Sequence, residues 1–209
     1  MAGKQLDNKR YERKYFLESE KMYLIKDFLI QNMFTTLYNP RKVNSIYFDT
    51  KNLKYFRSNV EGDNSRIKVR TRWYGNQINK KKIEIKLKKG FIGEKRYLEY
   101  VSDETLKQDI FNLRKDIVYP AVKVQYEREY FISTCKKFRA TLDTKISSQI
   151  IRNGKSVSNS IYSNQSILEF KYTLNNDNHF RRYINSINFP FRYKKNSKYV
   201  NALLNLRIF

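Results

Sequence analysis

The sequence predicts an α+β fold in which a mostly antiparallel sheet carries a few inserted helices. Short stretches that alternate apolar and charged residues recur along nearly the whole chain, most clearly over 65–74 and 82–88. Helical spacing appears only between them, and Gly (6) and Pro (3) are too scarce to build long linkers. At 209 residues, 40% hydrophobic with 17 Tyr and 14 Phe, the chain is long enough to bury a sizeable core as one domain over 1–209.

Taken in order, Arg10 to Leu17 reads as a strand. Met22, Ile25, Leu29 and Met33 stand at helical spacing and predict a helix over 18–33, with Ser19 as its N-cap. A strand over 42–49 and a short helical piece over 52–60 follow. Strands over 65–74 and 81–88 are joined through Gly75-Asn76, a hairpin signal, and a further strand covers 94–101. Ser102 then caps a helix running to Arg114, with Asp103 and Glu104 in its first turn, where the helix end favours carboxylates. Strands over 122–133, 138–146, 149–152 and 167–173 complete the sheet, and helices over 179–187 and 197–206 close the chain.

Charge bounds the partners. Lys and Arg number 43 against 20 Asp and Glu, a formal net charge of +23. Such a balance predicts anionic partners: nucleic acid, an anionic membrane surface, nucleotide phosphates or inorganic polyphosphate. Cys135 is the single cysteine, which excludes an intrachain disulfide framework and a Cys-rich metal site, and suits a reducing compartment. His179 is the single histidine, so multi-His zinc chemistry is excluded, and its polar surroundings read as a surface helix start. The first 15 residues hold no apolar signal core and no stretch has the run of apolar residues a membrane span needs. The chain is expected to be soluble and, by default, cytoplasmic.

The informative feature is what alternates along the strands, because successive side chains on a strand face opposite sides. One face of 65–74 carries Arg66, Lys68, Arg70 and Arg72, and the other Ile67, Val69, Thr71 and Trp73, the last reading as core. One face of 82–88 carries Lys82, Glu84, Lys86 and Lys88 opposite Ile83, Ile85 and Leu87. Arg139, Thr141 and Asp143 share a face, as do Glu169 and Lys171, and Glu12 and Lys14. Either an open sheet presents a solvated charged face, or the sheet closes into a barrel with its charged face inward. Arginine forks suit phosphate oxygens, and cations in a row repel unless an anion lies among them. The carboxylates Glu12, Glu84, Asp143 and Glu169 on the same faces suit a site that also holds a hard divalent ion bridging to phosphates.

These residues resemble the triphosphate tunnel metalloenzyme superfamily, and within it the vacuolar transporter chaperone (VTC) type of polyphosphate polymerase domain, in its bacterial, stand-alone form. The likeness runs from Arg10 to about Leu204, through RYERK (10–14), SIYFDT (45–50), RIKVRTRWYG (66–75), IEIKLK (83–88), YERE (126–129), FRATLDT (138–144), ILEFKY (167–172) and NSKYVNAL (196–203). It implies an eight-stranded antiparallel β-barrel, the triphosphate tunnel, with flanking helices. By position it makes Lys14, Arg70, Arg72, Lys86, Arg139 and Lys198 the catalytic basic residues. Arg128 is likewise matched to phosphate binding, with Lys171 and Lys195 as secondary contacts; Glu12, Arg66, Lys68 and Lys88, read on the charged strand faces, are expected to bind substrate beside them. A further basic position after the IEIK strand falls on Lys95 or Arg96, which spacing leaves open. Glu169 matches the metal carboxylate, and Asp143 is either a second metal ligand or the anchor of Arg139. Hydrolases of the superfamily often begin Glu-x-Glu-x-Lys; Arg10 stands where the first Glu would be, which favours the polymerase branch.

The resemblance implies a metal-dependent phosphotransferase that uses Mn²⁺ or Mg²⁺ to move the γ-phosphate of ATP onto a growing polyphosphate chain. A triphosphatase or nucleotide cyclase is the alternative among enzymes, and a non-catalytic polyanion-binding module the alternative outside them. No specific nucleic acid is expected, since no RRM, KH or zinc-finger pattern occurs.

Overall fold

The computed structural model describes residues 10–18, 22–90, 92–152, 155–187, 189, 191, 193 and 197–207. Its strands are β1 (Arg10–Glu18), β2 (Phe34–Asp49), β3 (Ser65–Tyr74), β4 (Lys82–Lys89), β5 (Ile92–Glu99), β6 (Tyr119–Ser133), β7 (Arg139–Arg152), β8 (Lys155–Ser156), β9 (Ile161–Tyr162) and β10 (Gln165–Thr173). Its α-helices are α1 (Met22–Gln31), α2 (Lys54–Glu61), α3 (Asp103–Arg114), α4 (Asp177–Ser186) and α5 (Lys198–Leu206). The strand order is β1-β10-β7-β6-β2-β3-β4-β5, with the two-residue β8 and β9 pairing β7. The fold class is therefore α+β with a mostly antiparallel sheet.

Packing divides the chain into two compact units, the first made of residues 1–41, 127–146 and 163–195, the second of 42–126, 147–162 and 196–209. The long strands β2, β6 and β7 each contribute one stretch to either unit.

In the first unit β1 pairs antiparallel with β10, and β10 with the start of β7. The apolar face gathers Tyr15, Leu17, Leu142, Leu168 and Phe170 with Ile25 and Leu29 of α1 and Phe180 of α4. Burying each such side chain contributes on the order of 2 kcal/mol. Arg13, on the same face as Tyr15, donates from Nη2 to Asp177 Oδ1 at 2.8 Å and also bonds Tyr172, which ties the first turn of α4 to the sheet.

In the second unit β2, β3, β4 and β5 pair in succession, all antiparallel. Phe48, Ile67, Val69, Ile83 and Ile85 of their apolar face meet Tyr55 of α2 and Leu106 and Ile110 of α3. Ser102 caps α3 by accepting from the Thr105 amide, with Asp103 and Glu104 in the first turn, as the sequence predicts. Trp73 is buried, as predicted. Asp49, wholly enclosed, accepts from the amides of Thr50, Tyr55 and Phe56 and from the Tyr199 hydroxyl. One carboxylate thus fixes both the start of α2 and the first turn of α5.

Several boundaries differ from the sequence reading. The helix expected over 18–33 is Met22–Gln31, and Ser19 lies outside the described residues. Strand β2 starts at Phe34, not 42, because its first half (FTTLYNPR) lacks alternating apolar residues and includes Pro40. The separate strands over 138–146 and 149–152 are one strand, β7. No described helix is long and apolar enough to cross a membrane.

Candidate functional site

Residues directly opposite each other in paired strands point to the same side of a sheet, so the registers fix which side chains share a face. In the second unit one row reads Tyr47, Arg70, Glu84, Tyr97 across β2 to β5. The next reads Ser45, Arg72, Lys82, Glu99, and on the other side Lys68, Lys86 and Lys95 align across β3 to β5. Arg66 and Lys88 extend the face by one more pair. The alternation read from the sequence therefore gathers Arg66, Lys68, Arg70, Arg72, Lys86, Lys88 and Lys95 onto one surface.

The cations on this face are ordered. Glu84 Oε2 accepts from Arg70 Nε at 3.0 Å and Nη2 at 2.5 Å, while Arg72 Nη1 lies 3.6 Å from Oε1 and Lys95 Nζ 3.7 Å from Oε2. Burial alone would raise the Glu84 carboxyl; Arg70 and Arg72, followed by Lys95, outweigh it and hold the pKa at about 2. Tyr47 accepts from Arg70 Nη1 at 3.0 Å, and Tyr126 from Arg72 Nη2 at 3.1 Å. Lys198 Nζ lies 4.7 Å from the centre of the Tyr126 ring, which brings the first residue of α5 to the same group of side chains. For Tyr47, burial again opposes ionisation, yet Arg70, Arg72 and Lys198 bring its phenol down to about 8. A buried phenol lowered this far reports a strongly positive local potential, suited to an anion.

Register places the two basic residues that spacing leaves open on β5 on opposite faces. Lys95 is opposite Lys86, on the charged face. Arg96 is opposite Ile85, on the other face, where it is exposed and bonds Glu94 at 2.5 Å. Lys95 therefore shares the charged face with Lys86, and Arg96 does not.

In the first unit the rows are Glu12, Lys171, Arg139 and Lys14, Glu169, Thr141, followed by Phe16, Ile167, Asp143, each running across β1, β10 and β7. Glu169 is only 5% exposed, with Lys14 Nζ 3.8 Å from Oε2 and Lys171 Nζ 3.0 Å from Oε1. Arg139 and Glu12, one row away, are exposed. Asp143 is fully buried and takes Arg128 Nε and Nη2 on its two oxygens at 2.5 and 2.7 Å. The arginine it anchors is Arg128 from β6, not Arg139, because Arg139 stands two rows away and reaches the exposed end of β7. Both Asp143 oxygens thus accept from the Arg128 guanidinium, which holds that side chain in place. Lys195 lies outside the described residues.

No group of three or more His, Cys, Asp or Glu side chains arranged for a metal ion occurs among the described residues. A divalent ion here would rest on Glu169 and complete its shell with phosphate oxygens and water, the usual habit of Mg²⁺. The donor set fits this, since the Thr141 hydroxyl in the same row is buried with no hydrogen-bond partner among the described residues.

Residues that sequence reasoning passed over are Tyr47, Tyr126 and Tyr199, while period two places Thr141 on the face of Arg139 and Asp143 without giving it a role. Tyr47 alternates with Ser45 in SIYFDT, so period two alone would have put it on the charged face.

A family model described as the VTC domain matches the chain in two overlapping stretches, residues 9–110 and 102–207. No curated protein matches. Among solved structures, a Vibrio parahaemolyticus protein described as a candidate adenylate cyclase is 14% identical at a TM-score of 0.52, covering 93% of this chain and 97% of that one. A Bacillus halodurans protein with the same description is 13% identical at 0.52, covering 92% and 97%. A Hippeastrum protein, a candidate adenylyl cyclase described as having a dominant triphosphatase activity, is 11% identical at 0.50, covering 90% and 93%. The chain shares their fold, the antiparallel triphosphate-tunnel fold.

Proposed function

Because the chain belongs to the VTC domain family, we propose that it is a polyphosphate polymerase, moving the γ-phosphate of ATP onto a growing polyphosphate chain. The observation that carries the reading is the cation lattice on β3, β4 and β5, where Glu84 spaces Arg70, Arg72 and Lys95 at 2.5 to 3.7 Å from its carboxylate.

Phosphoryl transfer asks little covalent help of a protein; positioning and charge neutralisation supply most of the rate. Arg70, Arg72, Lys86, Lys95 and Lys198 clamp triphosphate oxygens. In the first unit Lys14, Lys171, Arg128 and Arg139 are cations of the kind that bind phosphate oxygens, Arg128 being held by Asp143. A terminal phosphate oxygen of the chain attacks the γ-phosphorus, a new P–O–P bond forms, the bond to the β-phosphate oxygen breaks, and ADP leaves. A chain-end phosphate is already anionic near neutral pH, so no general base is needed, in keeping with a chain whose single histidine, His179, is exposed on α4. Glu169 would hold the divalent ion, Mn²⁺ or Mg²⁺, which supplies neutralisation of charge on the phosphate oxygens.

The test is incubation with ATP and Mn²⁺ or Mg²⁺, with and without a short polyphosphate primer. Long chains with ADP are expected. Free phosphate without chain growth would replace the proposal with a triphosphatase, the second reading, favoured by the activity described for the Hippeastrum neighbour. Tight polyphosphate binding without turnover would make the protein a binding module.

A further inference from the structure

Thr141 presents a buried hydroxyl on the charged face of β7. It is 7% exposed, and its Oγ1 has no hydrogen-bond partner among the described residues. Buried hydroxyls are normally paired, and an unpaired one calls for an explanation. The register supplies one. Thr141 stands directly opposite Glu169, whose other neighbour in the row is Lys14. Side chains opposed in this way have Cβ atoms about 5 Å apart, close enough for one small ligand to touch both. A hydroxyl keeps lone pairs for a cation even where it finds no acceptor, and a hard divalent ion takes hydroxyl and carboxylate oxygens alike.

We infer that Thr141 Oγ1 is a second oxygen donor to the divalent cation of the Glu169 site. The inference rests on the proposed role of Glu169 and extends it. A lone carboxylate flanked by Lys14 and Lys171, at 3.8 and 3.0 Å, is a weak cation site because both ammonium groups repel the metal. A neutral oxygen adds a donor without adding a charge that those lysines would compete for. Asp143 stands one row further along β7, opposite Ile167, and accepts from Arg128.

The test is direct Mn²⁺ titration of the full chain, followed by loss of the free-ion electron paramagnetic resonance signal, with no nucleotide present. Four proteins are compared: the unsubstituted chain, Thr141→Val, Thr141→Ser and Glu169→Gln. Val matches the shape of Thr and removes an unpartnered hydroxyl, so that variant keeps its Tm. Its Mn²⁺ affinity is expected to fall roughly tenfold, the lower end of the loss seen when groups around a metal are removed. Thr141→Ser, which keeps the hydroxyl, binds as the unsubstituted chain does. Equal Mn²⁺ affinity in Thr141→Val and the unsubstituted chain, with binding lost in Glu169→Gln, would overturn the role of Thr141 and leave that of Glu169 standing. An unsubstituted chain that takes up no Mn²⁺ would overturn both.

Discussion

Glu84 and Arg70 face each other across β4 and β3, and Glu84 Oε2 takes two guanidinium hydrogen bonds, at 3.0 Å from Nε and 2.5 Å from Nη2. The same carboxylate is the neighbour of Arg72 and Lys95, so it keeps apart cations that would otherwise repel at close range. Replacing Glu84 by Gln leaves a nearly buried guanidinium without its counter-charge. Breaking such a pair costs about 3–5 kcal/mol. For a chain of this size that is a fall in Tm of roughly 10 °C. Tripolyphosphate should stabilise Glu84→Gln more than the unsubstituted protein, because the anion then supplies the missing charge. Equal stabilisation of the two would show that Glu84 does not space an anion site.

Acid should act through the same carboxylate. Its folded pKa, held at about 2, lies below the ordinary value of about 4.3 for Glu in an unfolded chain. The folded state therefore binds the proton less readily, and the stabilisation is complete above the unfolded value. It is lost as pH falls from about 4.5 towards 2. Chemical denaturation over this range should show the decline in the unsubstituted chain and a shallower one in Glu84→Gln.

Tyr47 offers a spectroscopic reading of the positive potential. With its phenol at about 8, one tyrosine of the 17 should ionise well below the rest, seen as a step in ultraviolet absorbance that is missing in Tyr47→Phe. The cause is Arg70, Arg72 and Lys198 acting against burial, so a bound polyanion that neutralises them should move the step upward. The sign for stability follows: the folded state loses this proton before the unfolded chain does, so stability from Tyr47 grows between about pH 8 and 10. A step unmoved by saturating tripolyphosphate would mean that the anion does not bind at these cations.

Much of this was legible along the chain, and what was not has a physical reason. Period two placed Arg66, Lys68, Arg70 and Arg72 on one face because β3 is buried behind by Ile67, Val69 and Trp73, which forbids a register slip. The choice between Lys95 and Arg96 was not legible, since both neighbours are basic and β5 carries too few apolar residues to reveal its inner face. The partner of Asp143 was equally hidden: Arg128 reaches it from β6, and pairing between strands is not encoded in the spacing within either one. Period two put Thr141 on the charged face but could not single it out, since threonine is an ordinary strand residue and its burial with no hydrogen-bond partner among the described residues shows only in the structure.

The buried pair of Asp143 and Arg128 gives the sharpest separation between a structural and a metal-binding carboxylate. Asp143 is fully enclosed and each of its oxygens meets one guanidinium nitrogen, so the pair is fixed in direction as well as distance. Asp143→Asn keeps the shape but removes the charge, and leaves Arg128 in a half-buried place with a weaker acceptor. A loss of about 3 kcal/mol in unfolding free energy is expected, together with weaker polyphosphate binding as Arg128 loses its aim. Mn²⁺ uptake by the Glu169 site should stay intact, because Asp143 stands in the next row and its charge is matched by Arg128. Denaturant unfolding and Mn²⁺ titration on the same preparation check both halves. Should Asp143→Asn keep its stability but shed its Mn²⁺, the carboxylate would be a metal ligand and the anchoring of Arg128 incidental.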